Sequence, residues 1–426
     1  MVGRLPNSAT AIGAVSLGTT LFYTIGLFAS GIMLGLDTLV AQAYGAGKIE
    51  ECHRTLWNSL YLALVLSPAV MFTVLACVPL LARFGLSTEL VAETAPFLRA
   101  LIWSTLPLTV YFALRRYLQS MNIVKPVVFA LVSANLVNVL GNWSLVYGHL
   151  GFPKFGVPGS GWSTCISRVY MMVVLALAAV YYDRKRASGL WRSSRRPEAR
   201  RLMELLRLGL PAASQLLAEV GGFTLATFLI GRLGSLALAG HQIALNVASI
   251  TFMVPMGISS AAAVRVGHAV GARDARGAAH AGWMAILFSV CFMSFSGLML
   301  FFFARPIARI YTPDPAVVSA GAALLMVAAI FQLFDGLQVV ATGALRGAGD
   351  TRTPMMANLV GYWALGLPLG AFLCFRLHRG AVGMWVGLCL ALILIGSTLL
   401  MVWIRVIRGL ITRASAKPGT IPVSAG

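Results

Sequence analysis

The chain has 426 residues, 58% of them hydrophobic and 11% charged, and its mean hydropathy is +0.83. A soluble globular domain carries about 25% charged residues. This composition therefore excludes one and points to an all-α polytopic membrane protein. The net charge of +20 raises nucleic acid as a partner, but nine Lys and Arg are concentrated between Arg184 and Arg207. Such clustering follows the rule that basic residues stay on the cytoplasmic side, with contact to anionic membrane lipids. No nucleic-acid partner is expected.

A membrane-crossing helix needs about 20 mostly apolar residues. Eleven such runs are predicted, at about 10–34, 56–80, 94–114, 127–148, 161–182, 208–230, 236–262, 281–304, 317–342, 355–376 and 382–404. Placing the basic stretch Asp183-RKRASGLWRSSRRPEARR-Leu202 inside puts the N-terminus outside and the C-terminus in the cytoplasm. A multi-pass membrane protein is expected. The six Cys form no CxxC pair, so neither a disulfide framework nor a metal site is predicted.

The chain repeats itself at half length. Gly31-IMLGLDTLVAQAYGA-Gly47 matches Gly257-ISSAAAVRVGHAVGA-Arg273, with Gly31, Gly45 and Ala46 paired to Gly257, Gly271 and Ala272 at an offset of 226. Gly3-Arg4-Leu5 similarly matches Gly231-Arg232-Leu233. Further on, Leu114-Arg115 before Pro126 resembles Leu345-Arg346 before Pro354, and Gly161-Trp162 resembles Gly383-Met384-Trp385. Two pseudo-symmetric lobes are implied, related by an axis along the membrane normal. The N-terminal lobe is predicted over 1–182 and the C-terminal lobe over 208–405. Between them, 183–207 reads as a solvated basic connector, and 406–426 as a disordered cytoplasmic tail. An apolar helix precedes Gly231 but has no counterpart before Gly3. The lobes are thus expected to hold five and six helices, with the first helix of the first lobe missing.

Of the 13 Asp and Glu, two fall deep inside apolar runs. Glu219 lies in Ser214-QLLAEVG-Gly222 and Asp335 in Phe331-QLFDGL-Gln338. A carboxylate at mid-membrane costs several kcal/mol unless it is paired, neutralised or hydrated, and is functional by default. Both suit reversible binding of Na⁺ or H⁺, and both belong to the second lobe. Gln215 lies one turn before Glu219, while Gln332 and Gln338 flank Asp335. Their amide oxygens can coordinate Na⁺ or bond to a protonated acid. Asp37 sits near a helix end, where local hydrogen bonding is its predicted role. Asn135, Asn138 and Asn142 form a polar stripe, as do Gln242 and Asn246. Each stripe either joins helices or lines a wet path. His241 is read as a hydrogen-bonding residue near a helix end. Pro68, Pro107 and Pro255 interrupt helices by packing or as hinges. No phosphate loop, HExxH or GxSxG constellation is present, so no enzyme is predicted.

At Gly35-LDTLVAQAYGA-Gly47, Glu219-VGG-Phe223, Leu238-AGHQIALNVASITFMVPMGI-Ser259, Arg265-VGHAVGA-Arg273 and Ala344-LRGAGDTRT-Pro354, the chain resembles the multidrug and toxic compound extrusion (MATE) family. It is most similar to the NorM-like bacterial branch, from Gly3 to about Arg405. The resemblance implies two lobes of six helices around a cavity. It also implies Na⁺- or H⁺-coupled export of amphiphilic, often cationic, drugs by a monomer with no cofactor beyond the coupling ion. Glu219 and Asp335 match the family's acids on its seventh and tenth helices, the cation site of the Na⁺-coupled branch. A Tyr often stands one turn before the second acid. Phe331 stands there instead, leaving a ring face for cation–π contact. The family's first helix carries a further Asp and leads into a segment like Met1-VGRL-Pro6. Flippases of lipid-linked intermediates in the wider superfamily, and a truncated non-transporting remnant, are the alternatives. A flippase would use cavity cations to hold phosphates, for which Arg168 is the main candidate.

Overall fold

The computed structural model describes Gly3, residues 7–81 and residues 87–415. Among these, eleven helices are long and apolar enough to cross a membrane. They are α1 (Ser8–Gly45), α2 (Ile49–Leu81), α3 (Thr88–Ser120), α4 (Lys125–Tyr147), α5 (Val157–Arg186), α6 (Ala199–Gly231), α7 (Ser235–Gly271), α8 (Ala275–Tyr311), α9 (Pro315–Ala348), α10 (Arg352–Arg376) and α11 (Gly380–Arg413). Each predicted run has its helix. Most helices outrun the apolar stretch, because backbone hydrogen bonding continues past the last apolar residue. The chain is an all-α, multi-pass membrane protein.

The repeat is visible in backbone geometry. α1 and α7 end at Gly45 and Gly271, and their paired turn residues Gly47 and Arg273 both have positive φ, 74° and 59°. The bonds that close the two turns also match. Lys48 N donates to Ala43 O at 2.9 Å, and Asp274 N to Ala269 O at 2.8 Å. Upstream the copies differ. Met33 and Leu34 break α1, whereas α7 runs through unbroken. The later match needs a shift. Asn122 and Gly349 are the residues with positive φ, and Ile123 N→Leu118 O and Asp350 N→Leu345 O close the turns. Leu345 therefore pairs with Leu118 rather than Leu114. Trp162 is exposed while Trp385 is fully buried, so that pair is not equivalent in packing. Arg4 and Leu5 lie outside the described residues.

The chain forms two compact units, residues 1–44 with 48–217, and residues 218–426 with 45–47. The boundary falls inside α6 rather than at the basic connector. Small residues explain this. In the first unit, Gly31 and Gly35 admit the early part of α6 so closely that a Cβ on Gly31 would lie 2.5 Å from Ala213 Cα. Leu205 and Ala213 join the first unit's core, while Ala226 and Ile230 join that of the second.

Asp37 departs from its predicted local role. It is buried and pairs with Arg116 Nη1 of α3 at 3.2 Å. The polar stripe of α4 meets α5 mainly through its backbone. Ser163 Oγ donates to Asn138 O and Ser167 Oγ to Ala134 O, at 2.8 and 2.9 Å. The Asn135 and Asn142 amides bond to carbonyls of their own helix.

The connector is folded against α2, while most of its basic side chains stay exposed. Asp183 Oδ1 accepts from Ser188 Oγ and Leu190 N. His53 Nε2 meets Ser188 O at 3.0 Å, Trp57 Nε1 donates to Leu190 O, and Tyr61 OH donates to Arg195 O. Asn58 Oδ1 accepts from Glu198 N, and the Arg195 guanidinium lies over both Trp57 and Trp191. One face of α2 thus holds the connector along its length. At the other end of the chain, the final helix extends to Ser415, so 406–415 is helical and not a disordered tail. Residues 416–426 lie outside the described part.

In the second unit α9 packs against α7, α8 and α11. Close approach depends on glycine, as expected of membrane helices. A Cβ on Gly343 would meet Ser259 O at 2.3 Å, and one on Gly387 would meet Gly370 Cα at 2.4 Å. α10 is unusual. Its turns widen to π-helix over Leu359–Gly366 and again over Phe372–Arg376. Pro368, which has no N–H to donate, lies between the two stretches.

Two outcomes follow from this packing. Gly387→Ala should overpack the α10–α11 contact at a cost of about 1–3 kcal/mol. Gly409→Ala on the same helix, where a Cβ meets nothing within 4 Å, should be neutral or stabilising by up to about 1 kcal/mol. Thermal unfolding in detergent compares the two. Asp183→Ala leaves Leu190 N unpaired, at a cost of about 1–3 kcal/mol. Trypsin should then cut after Arg192 or Arg195 faster than in the unaltered chain, and equal cleavage rates would contradict the docked connector.

Candidate functional site

The second unit contains a cavity of about 330 Å³. Helix α6 lines it with Glu219, Val220, Phe223, Thr224 and Thr227, and α7 with Leu245, Ala248, Ser249 and Phe252. Phe331 and Asp335 enter from α9 and Trp385 from α11. The two acids singled out in the sequence therefore share one cavity. They are nearly removed from solvent, at 9% and 5% exposure, and each lies in the other's field.

Two fully buried amides, Gln332 and Gln338, lie near Asp335 in the sequence of α9, behind the residues that line the cavity. Gln332 Oε1 accepts from Ser296 Oγ at 2.9 Å, and Gln338 Oε1 accepts from Tyr362 OH at 3.3 Å. The Nε2 of each amide closes no hydrogen bond of good geometry, and that of Gln338 interacts with the Glu219 carboxylate. In this orientation Gln338 offers an N–H group to Glu219. Rotating an amide by half a turn would instead present an oxygen to Na⁺ or to a protonated carboxyl.

Aromatic rings form the rest of the wall. Phe223 meets Phe331 edge to face at 6.0 Å and Tyr362 at 5.8 Å, and Phe331 meets Trp385 at 5.4 Å. Phe331, one turn before Asp335, supplies a ring and no oxygen. A hydrogen-bonded chain holds the Trp385 indole. Trp385 Nε1 donates to His241 Nδ1 at 3.0 Å, and His241 Nε2 lies 2.7 Å from Thr227 Oγ1. Thr227 Oγ1 in turn donates to Phe223 O at 2.9 Å. Since that hydroxyl is used as a donor, His241 must donate to it from Nε2. The ring is then neutral, with Nδ1 free to accept from Trp385. His241 orders the wall by hydrogen bonding.

The other candidates lie elsewhere. Gln215 is buried on α6 one turn before Glu219 but does not line the cavity. Gln242 and Asn246 face outward from α7 and are exposed, and Asn246 Oδ1 accepts from Tyr311 OH. Asn135, Asn138 and Asn142 belong to the first unit. Sequence reasoning did not find Tyr362, Trp385, Phe223 or Ser296. The one available signal was Gly361, Gly366 and Pro368 around Tyr362, a pattern that suits a widened helix.

Comparison with known proteins agrees with this architecture. The sequence model of the MatE family matches residues 1–144 and 211–372. A probable multidrug resistance protein NorM from Xanthomonas axonopodis pv. citri is 39% identical over 392 residues, 91% of this chain and 84% of that protein. One of the same description from Brucella suis is 34% identical over 413 residues, 95% and 87% of the two chains. In fold, the chain is similar to the eukaryotic MATE transporter AtDTX14, with a TM-score of 0.83 at 21% identity over 97% of this chain and 92% of that one. A MATE crystal structure in a bent conformation gives a TM-score of 0.86 at 19% identity, covering 97% and 90%. The chain belongs to the MatE family of transporters.

Proposed function

We propose that this protein is a cation-coupled antiporter of the bacterial inner membrane that exports amphiphilic, often cationic, drug-like molecules by alternating access. The observation that carries the reading is the meeting of Glu219 and Asp335 in one aromatic-walled cavity of the second unit. Two carboxyls removed from water at membrane depth are stable only when a cation or proton neutralises them. Their occupancy therefore follows the Na⁺ or H⁺ activity to which the cavity is open. Relatives at 34–39% identity are named as probable multidrug resistance proteins, which supports drug-like substrates. Coupling arises when the ion and the drug favour different states of the protein. The basic connector supports an orientation with the N-terminus outside and the C-terminus in the cytoplasm.

Glu219→Gln keeps the shape of the side chain and removes its charge and titration. It should lower ethidium efflux from energised cells at least about tenfold, the effect of about 1.4 kcal/mol of lost differential binding, at unchanged protein level in the membrane. Asp335→Asn should act alike. Undiminished efflux in both variants would remove the carboxyls from the mechanism.

A further inference from the structure

The first unit holds a buried charge of the opposite sign. Arg168 lies well inside α5, and its guanidinium sits 4.7 Å above the Phe22 ring of α1. One nitrogen, Nη1, donates to Ser104 Oγ of α3 at 2.5 Å. Ser104 is fully buried and donates its own proton to Leu101 O, so its lone pair is fixed toward Arg168. Ser104 belongs to the tight 3₁₀ turn Ile102–Ser104 that interrupts α3. Three helices thus hold the guanidinium in one place.

That place lacks a counter-charge. No Asp or Glu lies within ion-pair distance of Arg168 among the described residues. Arg116 on α3, by contrast, has Asp37 at 3.2 Å. Cys165, one turn earlier on α5, is neutral as a thiol. A phenyl face and one hydroxyl leave most of the five guanidinium N–H donors unused. Arg168 is also only partly buried, so one side remains open to a ligand. An intramembrane cation without a partner is costly and marks a functional site by default, and a planar fork of donors suits a carboxylate or phosphate.

We propose that Arg168, positioned by Ser104 and Phe22, is a binding point for the anionic group of an amphiphile, a carboxylate or a phosphodiester. This site is separate from the acids of the second unit, and it extends the ligand range to molecules that carry a negative group. It rests on the reading that the chain binds amphiphiles, but it fails independently of that reading.

The test uses purified full-length protein in phosphatidylcholine nanodiscs and two dyes, rhodamine B with its free carboxylate and rhodamine B methyl ester. Fluorescence anisotropy reads the affinity of each. Arg168→Gln should weaken rhodamine B about tenfold or more, the range of one charge-assisted bond, and leave the ester unchanged. Arg168→Lys should restore part of the difference, and Ser104→Ala should weaken rhodamine B alone and by less. Equal loss of both dyes, or no loss, would overturn the proposal. Failure of the unaltered protein to bind the ester would instead count against the proposed function. Repeating the titration in phosphatidylglycerol nanodiscs distinguishes the source of the anion. If a lipid headgroup occupies the site, the preference for the carboxylate shrinks there in the unaltered protein and native mass spectrometry finds less bound phosphatidylglycerol in Arg168→Gln. If a solute occupies the site, the preference is the same in both lipids.

Discussion

At membrane depth water is not available to solvate a charge, and each ionised group must find its compensation within the protein or from a ligand. Among the intramembrane charges of the described residues, three arrangements stand out. Asp37 and Arg116 compensate each other and need nothing from outside. Arg168 has a ring and a hydroxyl but no carboxylate. Glu219 and Asp335 have each other, which worsens the problem, and amides that relieve it in part. The groups whose compensation is incomplete are the ones proposed to bind a ligand.

The second unit is built so that this incompleteness persists. Ser296 fixes Gln332, and Tyr362 fixes Gln338. The Trp385–His241–Thr227 chain holds the indole at the cavity wall. Tyr362 reaches Gln338 from within the widened turns of α10, and widened turns of this kind recur at functional sites. Glycines let α9 and α11 approach their neighbours closely enough to carry these side chains inward. A cavity with aromatic walls and two neighbouring carboxyls suits either a small cation or an organic one, through charge and ring faces together.

Much of this was legible in the sequence, for identifiable reasons. Hydropathy located all eleven helices because membrane burial imposes a minimum apolar length. Glu219 and Asp335 stood out because an acid in such a run is costly. The half-length repeat survived as matched turn geometry, since Gly47 and Arg273 must adopt the same left-handed backbone. Other features depend on contacts between segments distant in sequence. Composition alone made 183–207 look solvated, but the face of α2 carrying His53, Trp57, Asn58 and Tyr61 holds it in place. Helical spacing grouped Gln242 with Asn246 correctly, yet could not tell that they face outward. Leu118 replaced Leu114 as the partner of Leu345 once the hydrogen bonds of the two turns were compared.

The central claim is that cation occupancy of the cavity containing Glu219 and Asp335 drives export. Proteoliposomes of the purified protein, loaded with an organic cation and given a Na⁺ gradient or a pH gradient in turn at zero membrane potential, test it most directly. The account predicts that at least one inward gradient accelerates organic-cation exit, with a stoichiometric counterflow of that ion. Exit that proceeds at the same rate under both gradients and in their absence would contradict it.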